Sequence, residues 1–211
     1  MRATDAYSEL LAIGRPVIET KEAAARLGVN SNTAGKILRT IERAGLARQV
    51  HKGLWTLDPD ITPAVLATYL TAPYPAYVSF WSAFARHDMI EQIPTRTEIA
   101  SLGRARTLDT PLGSFAIHRL APEVFTGFEG TPRSGYFARP EKALFDVVYV
   151  RAPRGAVVRF PELTLPQDLD RQLLNEWAAR IPRPRLRTIV TKGLQAALDQ
   201  ADRLAAAERE E

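Results

Sequence analysis

The sequence predicts an α+β protein of two parts, divided near residue 58. Three features favour this division. Helical patterns followed by a short hairpin fill residues 1–58, and mixed helical and extended patterns fill residues 59–211. Between them, residues 58–63 are rich in Pro and Asp, which is typical of a linker. A chain of 211 residues is long enough for one large domain or two small ones.

Residues 1–58 predict three helices followed by a β-hairpin. Thr20 is the expected N-cap of the second helix, and Asn30 or Ser31 that of the third, because short polar side chains accept from free amides there. Gly53 lies between two extended runs, as the turn of a hairpin requires. The predicted elements are helices over residues 5–13, 21–27 and 31–44, then strands over residues 46–50 and 54–57.

Residues 59–211 predict a mixed α/β domain that ends in a long helix. Pro140 is expected at the first position of a helix, where its missing N–H has no cost. The last helix, over residues 185–207, is amphipathic. The other predicted elements are helices over residues 62–70, 79–86, 141–149 and 168–181, and strands over residues 105–109 and 114–120.

The third helix has one apolar face and one cationic face. Apolar residues recur from Ala34 to Ile41 at positions i, i+3, i+4 and i+7, which predicts a buried stripe. By the 3.6-residue period, an amide and three cations share the opposite side within about 60° of arc. They are Asn32, Lys36, Arg39 and Arg43. Gly35 costs this helix about 1 kcal/mol relative to Ala, and is either needed for a close backbone approach or simply tolerated.

A helix with this cationic face fits the major groove of DNA, and the following hairpin fits the wing of a winged helix-turn-helix domain. The plain alternative is a solvated charged face. Residues 21–52 carry seven basic and two acidic residues, which favours DNA. The residues expected nearest the bases are Ser31, Asn32, Thr33 and Lys36. The other expected DNA contacts are Lys21, Arg39, Arg43, Arg48, His51 and Lys52, and for Lys21, Arg39 and Arg43 we expect these contacts to be with phosphates.

Composition and motifs argue against several other classes. The absence of Cys excludes disulfides, thiolate nucleophiles and Cys-based metal sites. No P-loop, GxSxG or HExxH motif is present, so we expect no catalytic residue, cofactor or metal site. The start lacks the apolar core of a signal peptide and no apolar run approaches about 18 residues, so we expect a cytoplasmic protein without membrane contact. The net charge of +4 permits nucleic-acid binding without requiring it.

Five segments, in this order, resemble the AbiEi family of antitoxins and transcriptional regulators, found in bacterial toxin–antitoxin operons. They are residues 77–84 (YVSFWSAF), 93–96 (IPTR), 103–106 (GRAR), 110–115 (TPLGSF) and 139–146 (RPEKALFD). The resemblance covers the chain from the predicted winged helix to about Tyr149, and more loosely beyond.

The resemblance implies a winged-helix domain over residues 1–58 and an antitoxin domain over residues 59–211. By this resemblance, the protein is expected to be an autorepressor that binds repeats in the promoter DNA of its own operon. The C-terminal domain opposes a nucleotidyltransferase-type toxin, directly or indirectly. As residues that face this partner we name Arg96, Arg104 and Arg106. We expect a monomer or a weak dimer.

Two alternatives from other functional classes stay open. A metal-dependent nuclease would need clustered carboxylates, for which Glu141 and Asp146 are the candidates. A protein-interaction module without a DNA role would use the aromatic residues between Tyr69 and Phe84, although core packing also accounts for them.

Overall fold

The computed structural model describes residues 2–154, 160 and 162–207, and these residues form an α+β protein, as the sequence predicts. Eight α-helices and two β-sheets lie within them. The helices are α1 (Ala3–Leu11), α2 (Thr20–Leu27), α3 (Ser31–Arg43), α4 (Pro63–Leu70), α5 (Phe80–Arg86), α6 (Pro140–Arg151), α7 (Arg171–Ala179) and α8 (Pro184–Ala207). The strands are β1 (Val17–Glu19), β2 (Arg48–His51), β3 (Leu54–Thr56), β4 (Ala76–Val78), β5 (Thr97–Ser101), β6 (Arg106–Thr110), β7 (Gly113–Arg119), β8 (Phe128–Thr131) and β9 (Gly135–Ala138).

The first three helices pack on a small antiparallel sheet with the strand order β1-β3-β2. Strands β2 and β3 form the predicted hairpin, whereas β1 was not expected from the sequence. Leu38 and Ile41 of α3 are fully buried against Leu10 of α1, Ile18 of β1 and Trp55 of β3. The apolar stripe of the third helix therefore faces the core, as its spacing predicts.

The expected N-cap of α2 is wrong by one residue. The helix begins at Thr20, and Glu19 is its N-cap. The Glu22 carboxylate accepts the backbone amide of Glu19 at 2.7 Å, which completes a capping box. The Thr20 hydroxyl has a different role, since it accepts the indole N–H of Trp55 at 3.0 Å. Thr20 thus ties α2 to the sheet instead of capping the helix.

The second sheet has six strands in the order β6-β7-β5-β4-β9-β8. Its β6–β7 hairpin matches the two predicted strands closely, and both parallel pairs, β5 with β7 and β4 with β9, lie inside the sheet. Successive side chains along a strand point to opposite faces. Val78 and Ile99 accordingly pack toward α4, while Tyr77 and Ala100 pack into the larger core with α5, α6, α7 and α8.

The two predicted parts of the chain share apolar contacts. Val17, Val50 and Leu54 belong to the same buried cluster as α4 and one face of the six-stranded sheet. Thr62 caps α4 by accepting the amide of Val65, so the helix begins at Pro63, the last residue of the Pro- and Asp-rich connection. Among the described helices, none combines the length and apolar character that crossing a membrane requires.

Candidate nucleic-acid interface

Helix α3 is held at both ends by polar side chains. At its start, the Asn30 side chain accepts the backbone amide of Thr33 at 2.9 Å, as expected for an N-cap. Near its end, the Glu42 carboxylate accepts the backbone amide of Gln49 at 2.8 Å, which ties the helix to β2. The left-handed Gly28 ends α2 and turns the chain toward α3. These contacts fix the position of α3 relative to the hairpin.

The face of α3 opposite its buried stripe is open to solvent. Arg43 lies along the helix, because its Nε donates to the carbonyl of Arg39 at 3.3 Å and its Nη2 to the Thr40 hydroxyl at 3.1 Å. The Arg43 guanidinium is therefore held against the surface of the helix. Every residue that the sequence assigns to DNA on this helix is exposed: Ser31, Asn32, Thr33, Lys36, Arg39 and Arg43.

The β2–β3 hairpin lies beside α3 and carries further exposed polar residues. Gly53 adopts φ 86°, a left-handed conformation that favours glycine, and its carbonyl accepts the backbone amide of Thr20 at 2.9 Å. The hairpin turn is thereby fixed to the start of α2. Arg48, His51 and Lys52 are exposed on it.

Ion pairs divide the cations of residues 2–58 into two groups. Lys21 pairs with Glu19 at 2.9 Å, Arg26 pairs with Glu9 at 2.9 Å, and Arg15 pairs with Glu22. Lys21, which the sequence assigns to a phosphate contact, is therefore already partnered, and the Glu19 carboxylate raises its pKa. Five cations of α3 and the hairpin have no carboxylate of the described residues within 4.0 Å: Lys36, Arg39, Arg43, Arg48 and Lys52. Uncompensated positive charge is thus concentrated on α3 and the hairpin.

Two of the three arginines expected to face a partner protein, Arg96 and Arg106, line the same cavity, and Arg104 does not line it. Arg104 is exposed in the loop between β5 and β6. Arg106 pairs with Ile117 across the β6–β7 hairpin and donates to the carbonyl of Leu70 at 2.5 Å, on the α4 side of the sheet. Arg96 lies just before β5, and it lines a cavity of about 280 Å³ together with Arg106, Glu98 and Arg151.

Glu98 of β5 is a buried carboxylate that the sequence analysis did not identify. One oxygen accepts the backbone amide of Trp81 at 3.2 Å, and the other lies 3.7 Å from His118 Nε2. Burial raises the pKa of Glu98, but His118, the Trp81 amide and the nearby Arg151 outweigh it and hold the pKa below its usual value. The signal that could have revealed it is a carboxylate directly before the apolar residues Ile99 and Ala100.

Glu141 and Asp146, the two carboxylates considered for a nuclease, make separate structural contacts. Asp146 is fully buried, where it pairs with Lys142 at 2.5 Å and accepts from the hydroxyls of Tyr77 and Ser79 at 2.9 and 2.7 Å. Glu141 instead accepts the backbone amide that precedes α7. Among the described residues, no three His, Asp or Glu side chains lie close enough to hold a metal ion.

The aromatic residues before and within α5 are mostly core. Tyr77, Phe80 and Phe84 are buried, and Trp81 packs edge-on against Phe84. Tyr74 is 51% exposed. Core packing therefore accounts for most of this cluster, which leaves little of it available to a partner.

No protein-family model matches the sequence, and no curated protein matches it significantly. The surface formed by α3 and the hairpin, together with the five sequence segments, is therefore the basis for a functional proposal.

Proposed function

We propose that the protein is a DNA-binding autorepressor whose N-terminal domain, residues 1–58, is a winged helix-turn-helix. Helices α2 and α3 would form the helix-turn-helix, α3 would enter the major groove, and the β2–β3 hairpin would be the wing. One observation carries the proposal: among the residues that the structure describes, the exposed cations of α3 and the hairpin have no carboxylate partner, while the neighbouring cations on α2 and before β1 do.

The order of side chains along α3 supports separate roles for its two ends. The first turn presents Asn32, whose amide matches the paired donor and acceptor of adenine, and the second turn presents Lys36, which matches guanine. Ser31 and Thr33 flank Asn32 with hydroxyl groups. Arg39 and Arg43 lie one to two turns further along, where phosphate contact fixes register without reading sequence. Arg48, His51 and Lys52 would extend the contact along the backbone or into the minor groove.

The resemblance to AbiEi proteins supports the second half of the proposal. Residues 59–211 would be an antitoxin domain that counteracts a nucleotidyltransferase-type toxin, directly or indirectly. The DNA partner would be the promoter of its own operon, with repeated sites. The protein would act in the cytoplasm as a monomer or weak dimer, without catalytic residues or a cofactor.

A promoter–reporter assay tests repression. The upstream region of the gene drives the reporter, and the protein is supplied in trans. Arg39→Glu reverses a charge on the proposed DNA face, so we expect it to restore reporter output. Arg180→Glu makes the same charge change at an exposed residue after α7 and should repress like wild type. Full repression by Arg39→Glu would contradict the proposal.

Co-expression with the neighbouring gene tests the antitoxin role separately. If that gene encodes a nucleotidyltransferase-like toxin, the wild-type protein should restore growth. The Arg39→Glu variant should also restore growth when both genes are under a foreign promoter, because its C-terminal domain is unchanged. Failure of the wild-type protein to protect would refute the antitoxin role and leave repression untouched.

A further inference from the structure

An arginine-lined cleft lies in the C-terminal part, between the end of β7 and the start of α8. Two adjoining cavities of about 440 and 480 Å³ share Arg119, Tyr149, Arg183 and Leu186. Cavities of about 300–1,000 Å³ are typical of sites for small ligands. The cleft involves none of the residues assigned to DNA.

The cleft carries uncompensated positive charge. Arg119 ends β7, Arg183 directly precedes α8, and Arg185 lies in the first turn of that helix. All three are exposed, and within residues 2–154, 160 and 162–207 no carboxylate lies within 4.0 Å of their guanidinium groups. Among the described lining residues of the two cavities, the single carboxylate is Glu123, which lines the cavity of about 480 Å³. Arg185 also stands where the helix dipole disfavours a cation.

The rest of the lining combines a hydroxyl group with an apolar wall. Tyr149 is half-buried; burial raises the pKa of its hydroxyl, which therefore stays protonated and able to donate. Leu186 and Ile189 of α8 and Val150 of α6 form an apolar side. A ligand that fits must offer both an anionic group and an organic part.

We propose that this cleft binds a small phosphorylated molecule of nucleotide size. Guanidinium groups present paired N–H donors that match phosphate oxygens, so Arg119, Arg183 and Arg185 would hold the phosphate. The organic part would lie against Leu186 and Ile189. The concave shape favours a small ligand over an acidic protein, since protein partners cover broad surfaces of about 800 Å² each.

Calorimetric titration of the full chain tests the proposal. The probes are the four ribonucleoside monophosphates, inorganic pyrophosphate and, as the phosphate-free control, adenosine. We expect at least one monophosphate to bind. If AMP is one of the monophosphates that bind, adenosine should bind at least about tenfold more weakly than AMP. Pyrophosphate should compete with whichever monophosphate binds. If no phosphorylated probe binds at millimolar concentration, or adenosine binds as tightly as AMP, the proposal is overturned.

Variants of single arginines test whether ligand binding depends on this cleft or on the positive charge around it. Arg119→Gln and Arg183→Gln should each weaken binding of the best probe by about tenfold or more, because each removes a charged hydrogen-bond donor. Arg180→Gln removes the same charge from a residue that does not line the cavities, so it should leave binding unchanged. Equal losses in all three variants would indicate general electrostatic attraction and overturn the proposal.

Duplex DNA is the competing occupant. If a short duplex displaces the bound nucleotide and Arg183→Gln weakens duplex binding, the cleft belongs to a DNA interface and the small-ligand proposal is wrong. Arg39→Gln should weaken DNA binding and leave nucleotide binding unchanged. The two proposals can therefore fail independently.

Discussion

Arg39→Gln should lower the salt dependence of DNA binding by one phosphate contact. Five cations on α3 and the hairpin have no carboxylate of the described residues within 4.0 Å. If each of them neutralises one phosphate charge, at about 0.9 per charge, the log–log slope is about −4.5 for each bound chain. The wild-type affinity should then fall about 500-fold between about 50 and 200 mM salt. Without Arg39 the slope becomes about −3.6, and the affinity falls about 150-fold over the same interval.

Fluorescence anisotropy of a labelled duplex, titrated at several KCl concentrations, measures these slopes. The control is Arg26→Gln, because the Arg26 guanidinium is already paired with Glu9 at 2.9 Å and should contribute no phosphate contact. An Arg39→Gln slope equal to the wild-type slope would refute the assignment of Arg39. A wild-type slope weaker than about −1 would refute the whole cationic face as an interface.

Three further changes test the structure away from that face. Gly35→Ala should raise the unfolding free energy by about 0.4–1 kcal/mol, since a Cβ there meets only Thr20 Cγ2, at 4.0 Å. Lys142→Met should lower the unfolding free energy by about 3–5 kcal/mol, because it leaves the buried Asp146 carboxylate without its ion-pair partner. The pKa of Glu98 is lower in the folded protein, so its stabilising contribution is complete above the unfolded value of about 4.3 and is lost as the pH falls through the folded value. The advantage of wild type over Glu98→Gln in urea titrations should therefore shrink in acid.

Each of these predictions has a clear contrary result. A less stable Gly35→Ala variant would show that α3 has no room beside α2. Wild-type stability of Lys142→Met would show that Asp146 does not depend on its ion pair. A constant difference between wild type and Glu98→Gln from neutral to acid pH would show that Glu98 is not held in its charged form.

Elements with strong local signals could be predicted from the sequence. Helix α3 follows from the Asn30 cap, the glycine that precedes it and the apolar spacing, all of which act within a few residues. The three-residue strands β1 and β4 could not be predicted in the same way, because so short a run shows no alternation. They form because strands distant in the sequence pair with them.

In the candidate interface, too, local features could be predicted from the sequence and features that depend on long-range contacts could not. The helical period alone places Lys36 and Arg39 on one face, and both are exposed there. The ion pair of Lys21 with Glu19 could not be inferred, since it depends on how the start of α2 is capped. The burial of Lys142 and Asp146 was also missed, because α6 is covered on several sides by elements far away in the chain.

A mobility-shift titration against the DNA upstream of the gene tests the central proposal most directly. A scrambled duplex of the same length and composition runs beside it, at two salt concentrations. We expect tight, salt-sensitive binding to the upstream duplex, and we expect Asn32→Ala to lose about 1–3 kcal/mol of discrimination against the scrambled one. Equal binding of the wild-type protein to both duplexes, or no binding to either, would contradict the proposal.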